Sequence, residues 1–377
     1  MQDRRQFMVS SGAAMLAAPF ASYGSDAKRD YSEVRYSSAM VIDGSGDPGE
    51  FDPTAKDYAP LSARALAAVK ASEVTAISLT VCEVGNLPGR YDEAIRKIAY
   101  YEGEITRHPD VFLKVLSARD LESARASKRL GLIYAFQDTN MLEGDLTRLE
   151  IFHALGLRIV QPTYNRRNQA GDGCLESADG GLSMLGHELI AELNRLNILL
   201  DLSHGAPRTI TEGIAASKAP MAITHTGCRA LADIPRNVHD SALKALADRG
   251  GVVGIYFMPF LRASGQPHAE DVIRHLEHAV KVCGEDHVGI GTDGVISGIK
   301  IDAAYAENQR KMYEDRKKAG IAASGEAPDV YTIIPEYNDP RRFKTLADDL
   351  AGRGWPESRI EKILGGNFAR LFKEVWS

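Results

Sequence analysis

The sequence is short of several features that would assign it quickly. Cysteine is scarce: Cys82, Cys174, Cys228 and Cys283 are the four in 377 residues, and no two form a Cys-x-x-Cys pair. Up to two disulfides would suit an oxidising compartment, but the spacing selects no pairing. Cys228 follows His225 by three residues and is near enough in sequence to approach a metal there, although burial as a free thiol is the commoner fate. A block of basic charge is also missing. With 45 Lys and Arg against 51 Asp and Glu the net charge is −6, which argues against nucleic acid or an anionic membrane as partner. No apolar run approaches the length needed to cross a bilayer, and residues 371–377 carry no hydrophobic anchor. No Gly-x-Gly-x-x-Gly follows an early strand, so a dinucleotide fold has no support.

What is present begins with Arg4-Arg5 ahead of a mild apolar segment, residues 9–21. That segment is too short to span a membrane and resembles a twin-arginine export signal over residues 1–22, without a clean Ala-x-Ala cleavage point. The expected location of the mature chain is therefore periplasmic or secreted.

Eight apolar, β-branched runs follow, at 40–42, 75–81, 132–136, 158–162, 198–202, 221–224, 251–257 and 288–291. They are nearly continuous in apolarity, as parallel strands buried on both faces should be. Helix-patterned stretches separate most of them, among them 91–108, 185–196 and 269–283. A ninth run, 112–116, reads as peripheral. The alternation predicts a single (β/α)8 barrel of TIM type over 38–377. Long connections at 165–181 and 294–338 are expected to rise from the carboxyl-end face, the second carrying a charged helix at 305–318. Two closing helices end the chain.

Reading only the strand ends gives a constellation. Asp201-Leu202-Ser203-His204 and Thr224-His225 end the fifth and sixth runs, so both histidines fall on the face where such barrels build their sites. The alternative is two unrelated strand-end histidines. The first run delivers Asp43-Gly44-Ser45-Gly46-Asp47, the third Gln137-Asp138, the fourth Tyr164 and the eighth Asp293. Two imidazoles with carboxylates make an N/O site suited to zinc or a similar divalent ion. Asp293 is placed to carry a proton to a leaving amine. Arg236, with Asn237 beside it, is placed to capture a substrate carboxylate by its planar fork.

These motifs resemble the membrane (renal) dipeptidase family, zinc enzymes on an amidohydrolase-like barrel. The likeness covers about residues 38–375 and rests on Asp201 to His204, on Thr224-His225 through Arg236-Asn237, on His287 to Asp293 and on Ile363 to Phe368. It implies metal binding by His204 and His225, metal contact and proton transfer by Asp293, and carboxylate recognition by Arg236. Three positions depart from the family pattern. Ser45 stands where a His-x-Asp metal pair needs histidine, leaving Asp47; Gln137 replaces a bridging glutamate; Tyr164 replaces a histidine near the reacting carbonyl. Without the bridging charge two ions would repel each other uncompensated. Asp138 should point to the opposite side of its strand from Gln137.

The expectation is an exported metal-dependent hydrolase of a dipeptide or small amide bearing a carboxylate, working with one divalent ion. Its metal ligands would come from His204, His225, Asp293, Asp47 and Gln137, with Asp293 and Tyr164 catalytic and Arg236, Asn237 and Tyr164 holding substrate. The alternatives are a lyase or isomerase using Tyr164 as acid/base, and an inactive carboxylate-binding homologue. A homodimer is left open.

Overall fold

The computed structural model describes residues 30–52, 56–85, 88–318, 320 and 322–376; the export-signal expectation at 1–22 lies outside them. Eleven strands are present among these residues: β1 (Ile42–Asp43), β2 (Gly46–Asp47), β3 (Ala76–Thr80), β4 (Phe112–Lys114), β5 (Leu130–Phe136), β6 (Leu157–Val160), β7 (Leu199–Leu200), β8 (Ala222–Thr226), β9 (Val252–Ile255), β10 (Val288–Ile290) and β11 (Gly294–Val295).

Every ladder is parallel. The order β1-β3-β5-β6-β7 forms one sheet and β8-β9-β10 another. Backbone bonds join the two: Leu202 N–H donates to the Ala222 carbonyl at 2.9 Å, and Gly44 N–H to the Ile290 carbonyl at 2.8 Å. The sheet thereby curls into a TIM-type barrel. The short strand β4 pairs only with β5, beside its amino-terminal half. It takes no place in the ring, because the other half of that edge of β5 is occupied by β6.

Two layers of apolar side chains explain why these residues are strands. Ile42, Ala76, Ile133, Ile159, Leu199, Ala222 and Val252, one from each of seven strands, pack with Phe368, Leu371 and Phe372 of the terminal helix Asn367–Val375. That helix has turned its apolar stripe onto one end of the ring. Alternate residues such as Ile77, Leu132, Val160 and Ile223 join the larger cluster shared with the surrounding helices. All seven residues of β5 are buried. Where the strands pinch together only glycine fits: a Cβ on Gly254 or Gly291 would stand 2.0 Å from the Thr224 carbonyl oxygen.

Among the described residues no helix is long and apolar enough to cross a membrane. All four cysteines are free and buried; Cys228 donates toward the His275 carbonyl rather than toward His225.

Candidate active site

His204 and His225 are brought together by the β7–β8 unit, and their Nε2 atoms lie 2.9 Å apart. What fixes them is a buried polar network behind each ring. Asp201 receives the hydroxyl protons of Ser203 and Thr224, both at 2.5 Å, and an amide proton of Gln161 at 2.8 Å. The Thr224 oxygen can then only accept, so His225 carries its proton on Nδ1, 2.9 Å from Thr224 Oγ1. His204 Nδ1 likewise donates to Asn165 Oδ1 at 2.7 Å. Both Nε2 atoms therefore present lone pairs to the pocket, that of His204 shared with a 3.2 Å contact from Arg236. Burial, reinforced by the Arg236 charge, pushes both imidazole pKa values well below the usual range, so the pair is neutral.

Arg236 is 2% exposed. It donates to the Ser203 carbonyl at 2.6 Å and to His204 Nε2 at 3.2 Å, and lies 5.7 Å from the Tyr256 ring centroid. Among the described residues no carboxylate forms an ion pair with it. Tyr164 stacks on His204 with centroids 4.2 Å apart. Burial raises its pKa, against the pull of Arg316. Asp293 sits in a left-handed backbone conformation at φ 58°, strained for a residue with a side chain. Its amide is tied to the Ser45 carbonyl at 2.7 Å and its carboxylate accepts from the Ser45 hydroxyl at 3.4 Å. Burial raises its pKa too, with Arg236, Ser45, Arg316 and Gln137 working the other way. Gln137 donates its amide to Ser45 at 3.3 Å.

Two of the expected site residues stand apart from the histidine pair. Asp47 does not join the histidines: its carboxylate accepts from the Tyr101 hydroxyl at 3.2 Å and from Gly49 N–H at 2.7 Å, because β2 pairs outside the ring with β11. Asn237 is not free to hold substrate. Its amide donates to the Ala232 and Phe260 carbonyls and its oxygen accepts the Tyr256 hydroxyl, so it braces the ring beneath Arg236. Asp138, as expected, turns away from Gln137, to Gly85, Thr139, Asn140 and Asn168.

Three contributors went unassigned in the sequence. Asn165 and Asp201 orient the histidines. Arg316, on helix Ala303–Lys318 of the long connection after β10, adds a positive charge that works against the burial-raised pKa values of Tyr164 and Asp293. The two long connections meet there, since Arg166 Nε donates to the Gly320 carbonyl at 2.6 Å.

The chain has known relatives. The family model for membrane dipeptidase (peptidase family M19) matches residues 68–310. The chain belongs to the membrane dipeptidase family. An uncharacterized protein of Klebsiella pneumoniae is 29% identical over 272 residues, 69% of this chain and 88% of that one. An uncharacterized dipeptidase of Schizosaccharomyces pombe is 31% identical over 199 residues, covering 50% of this chain and 48% of its own. Among solved structures, an amidohydrolase from Pseudomonas aeruginosa has a TM-score of 0.76 at 29% identity, covering 90% of this chain and 98% of that one.

The membrane dipeptidase family is metal-dependent, and its metal chemistry can be tested against the donors here. Among the described residues no three His, Cys, Asp or Glu side chains converge to hold an ion. A pair of ions does not fit: Ser45 and Gln137 are neutral, and Asp47 is engaged elsewhere. The two Nε2 lone pairs fit one ion at most, as two of the four ligands of a tetrahedral site.

Proposed function

We propose that the chain hydrolyses a small amide or dipeptide with a free carboxylate, at a centre holding no more than one divalent ion. The carrying observation is Arg236, a buried guanidinium with no carboxylate ion-pair partner among the described residues, beside two neutral imidazoles. Burying an unpaired charge costs several kcal/mol, and a substrate carboxylate taken in the planar fork would offset that cost. His204 and His225 would hold the ion, which would supply an activated water and polarise the scissile carbonyl. Asp293, with its raised pKa, would take a proton and return it to the departing amine. Tyr164, lying over His204, would hydrogen-bond the carbonyl oxygen.

The test is elemental analysis of protein purified without chelators, paired with dipeptide hydrolysis. At most one ion per chain is expected, lost in His204→Ala or His225→Ala together with turnover. Two stoichiometric ions would overturn the single-ion reading. Carboxylate binding with no metal and no turnover would point instead to an inherited binding pocket.

A further inference from the structure

Arg342 begins the helix Arg342–Gly352 and is 8% exposed, a guanidinium taken almost wholly out of water. Its Nε donates to the Asp339 carbonyl at 3.0 Å and its Nη2 to the Ile296 carbonyl at 2.9 Å. Among the described residues Nη1 finds no acceptor, and no carboxylate is in ion-pair contact. Two carboxyl groups are near enough for their charge to be felt, Asp43 and Asp339. Asp43 is already engaged: its oxygens take the Ser45 and Thr292 amides at 3.2 and 2.7 Å and the Thr292 hydroxyl at 2.6 Å. Asp339 is exposed, where solvent screens it.

Beside this guanidinium is a cavity of about 20 Å³ lined by Arg342, Gly294, Thr292 and Ser297, room for one water-sized sphere and little more. A Cβ on Gly294 would stand 3.7 Å from Arg342 Nη1, so the unpaired nitrogen borders the cavity at that wall. Ser297 is 1% exposed, and its Oγ has no hydrogen-bond partner among the described residues. The cavity lies where the two ends of the long connection meet: Ile299 N–H donates to Asn338 Oδ1 and Asn338 Nδ2 to the Ile299 carbonyl, both at 2.7 Å.

We propose that this cavity is a binding site for a small monovalent anion of the halide class, held between Arg342 Nη1 and the Ser297 hydroxyl. A guanidinium only donates and a serine hydroxyl can donate, so the pair calls for an acceptor. A water molecule would accept those bonds and leave the buried charge uncompensated, whereas a halide supplies both the lone pairs and the counter-charge. The volume excludes larger oxyanions. The ion ties Ser297, at the start of the long connection, to Arg342, just past its end, and so steadies the base of that connection beside Asp293. The site is separate from the histidine pair and independent of the hydrolase reading.

Thermal denaturation of the full chain in sodium chloride and in sodium gluconate at matched ionic strength separates binding from screening. The midpoint in chloride should rise saturably, by a few degrees, above that in gluconate. Bromide should substitute for chloride, and crystals soaked in bromide should show anomalous density between Arg342 and Ser297. Ser297→Ala should raise the chloride concentration needed for half the effect by about tenfold. Arg342→Met should abolish the difference between the two salts; if that variant does not fold, Ser297→Ala and the bromide density decide the question. Equal midpoints in both salts, bromide density confined to other places, or an unchanged chloride dependence in Ser297→Ala would each overturn the site.

Discussion

Arg236 has no carboxylate in ion-pair contact among the described residues, and its geometry matters as much as its sign. A guanidinium offers a rigid planar fork, whereas an ammonium is a point charge on a flexible stem. Arg236→Lys should therefore weaken carboxylate binding by roughly 1.5–3 kcal/mol, the usual worth of a charge-assisted hydrogen bond, although the formal charge is kept. Calorimetry with N-acetylglycine would read this, and an unchanged affinity would remove Arg236 from the site. Asp43 makes a different kind of statement. Burial raises its pKa to about 7, despite hydrogen bonds from the Thr292 hydroxyl and amide and from the Ser45 amide, and the nearby Arg342 charge. For an acid whose folded value lies above its unfolded one, the stabilising contribution is complete below about pH 4 and is lost as pH rises to about 7. Denaturant titrations from pH 4 to 8 should show wild type losing stability relative to Asp43→Asn over that window. A flat difference would mean that Asp43 is ionised throughout.

At the scale of elements, the barrel depends on backbone approach as much as on apolar pattern. Gly291 follows β10 and its missing Cβ leaves room for the Thr224 carbonyl of β8. Gly291→Ala should cost at least 1–3 kcal/mol, the usual penalty of overpacking a core, seen as a lowered denaturation midpoint. Because His225 is the residue after Thr224, its position should shift as well. The eight strand runs were legible in the sequence because strands buried on both faces leave an uninterrupted apolar, β-branched signature. The histidine pair was legible because it ends two such runs. Arg316 was not: it stands in a charged stretch, Glu314-Asp315-Arg316-Lys317-Lys318, whose pattern is that of a solvated helix face. Only the fold of the long connection, pinned at Glu326, turns that one side chain inward. Asp47 presents the opposite case. Its place in the sequence matches a metal-binding aspartate, but Tyr101 on helix Arg90–Arg107 claims its carboxylate.

For the whole molecule, the scaffold of the membrane dipeptidase family and the proposed single-ion ligand set can be separated experimentally. The ring closes, the terminal helix packs against one end, and the β7–β8 unit still presents two neutral imidazoles. The deficit for a second ion is confined to Ser45, Gln137 and the engaged Asp47. Ser45 and Gln137 already touch each other and Asp293 at the carboxyl-end face, so new ligands there need no change of backbone. Ser45→His supplies an imidazole and Gln137→Glu a bridging charge that offsets repulsion between two ions. Tyr101→Phe should release Asp47 from its 3.2 Å hydrogen bond. The triple variant is expected to bind up to two divalent ions per chain where the natural protein binds at most one, and to hydrolyse dipeptides faster. Elemental analysis after dialysis against zinc would measure the first and a dipeptide assay the second. If the triple variant folds, with an unchanged denaturation midpoint, yet still holds no more than one ion, then the ring geometry itself has drifted from a dinuclear site. The difference would then lie in the barrel and not in three side chains.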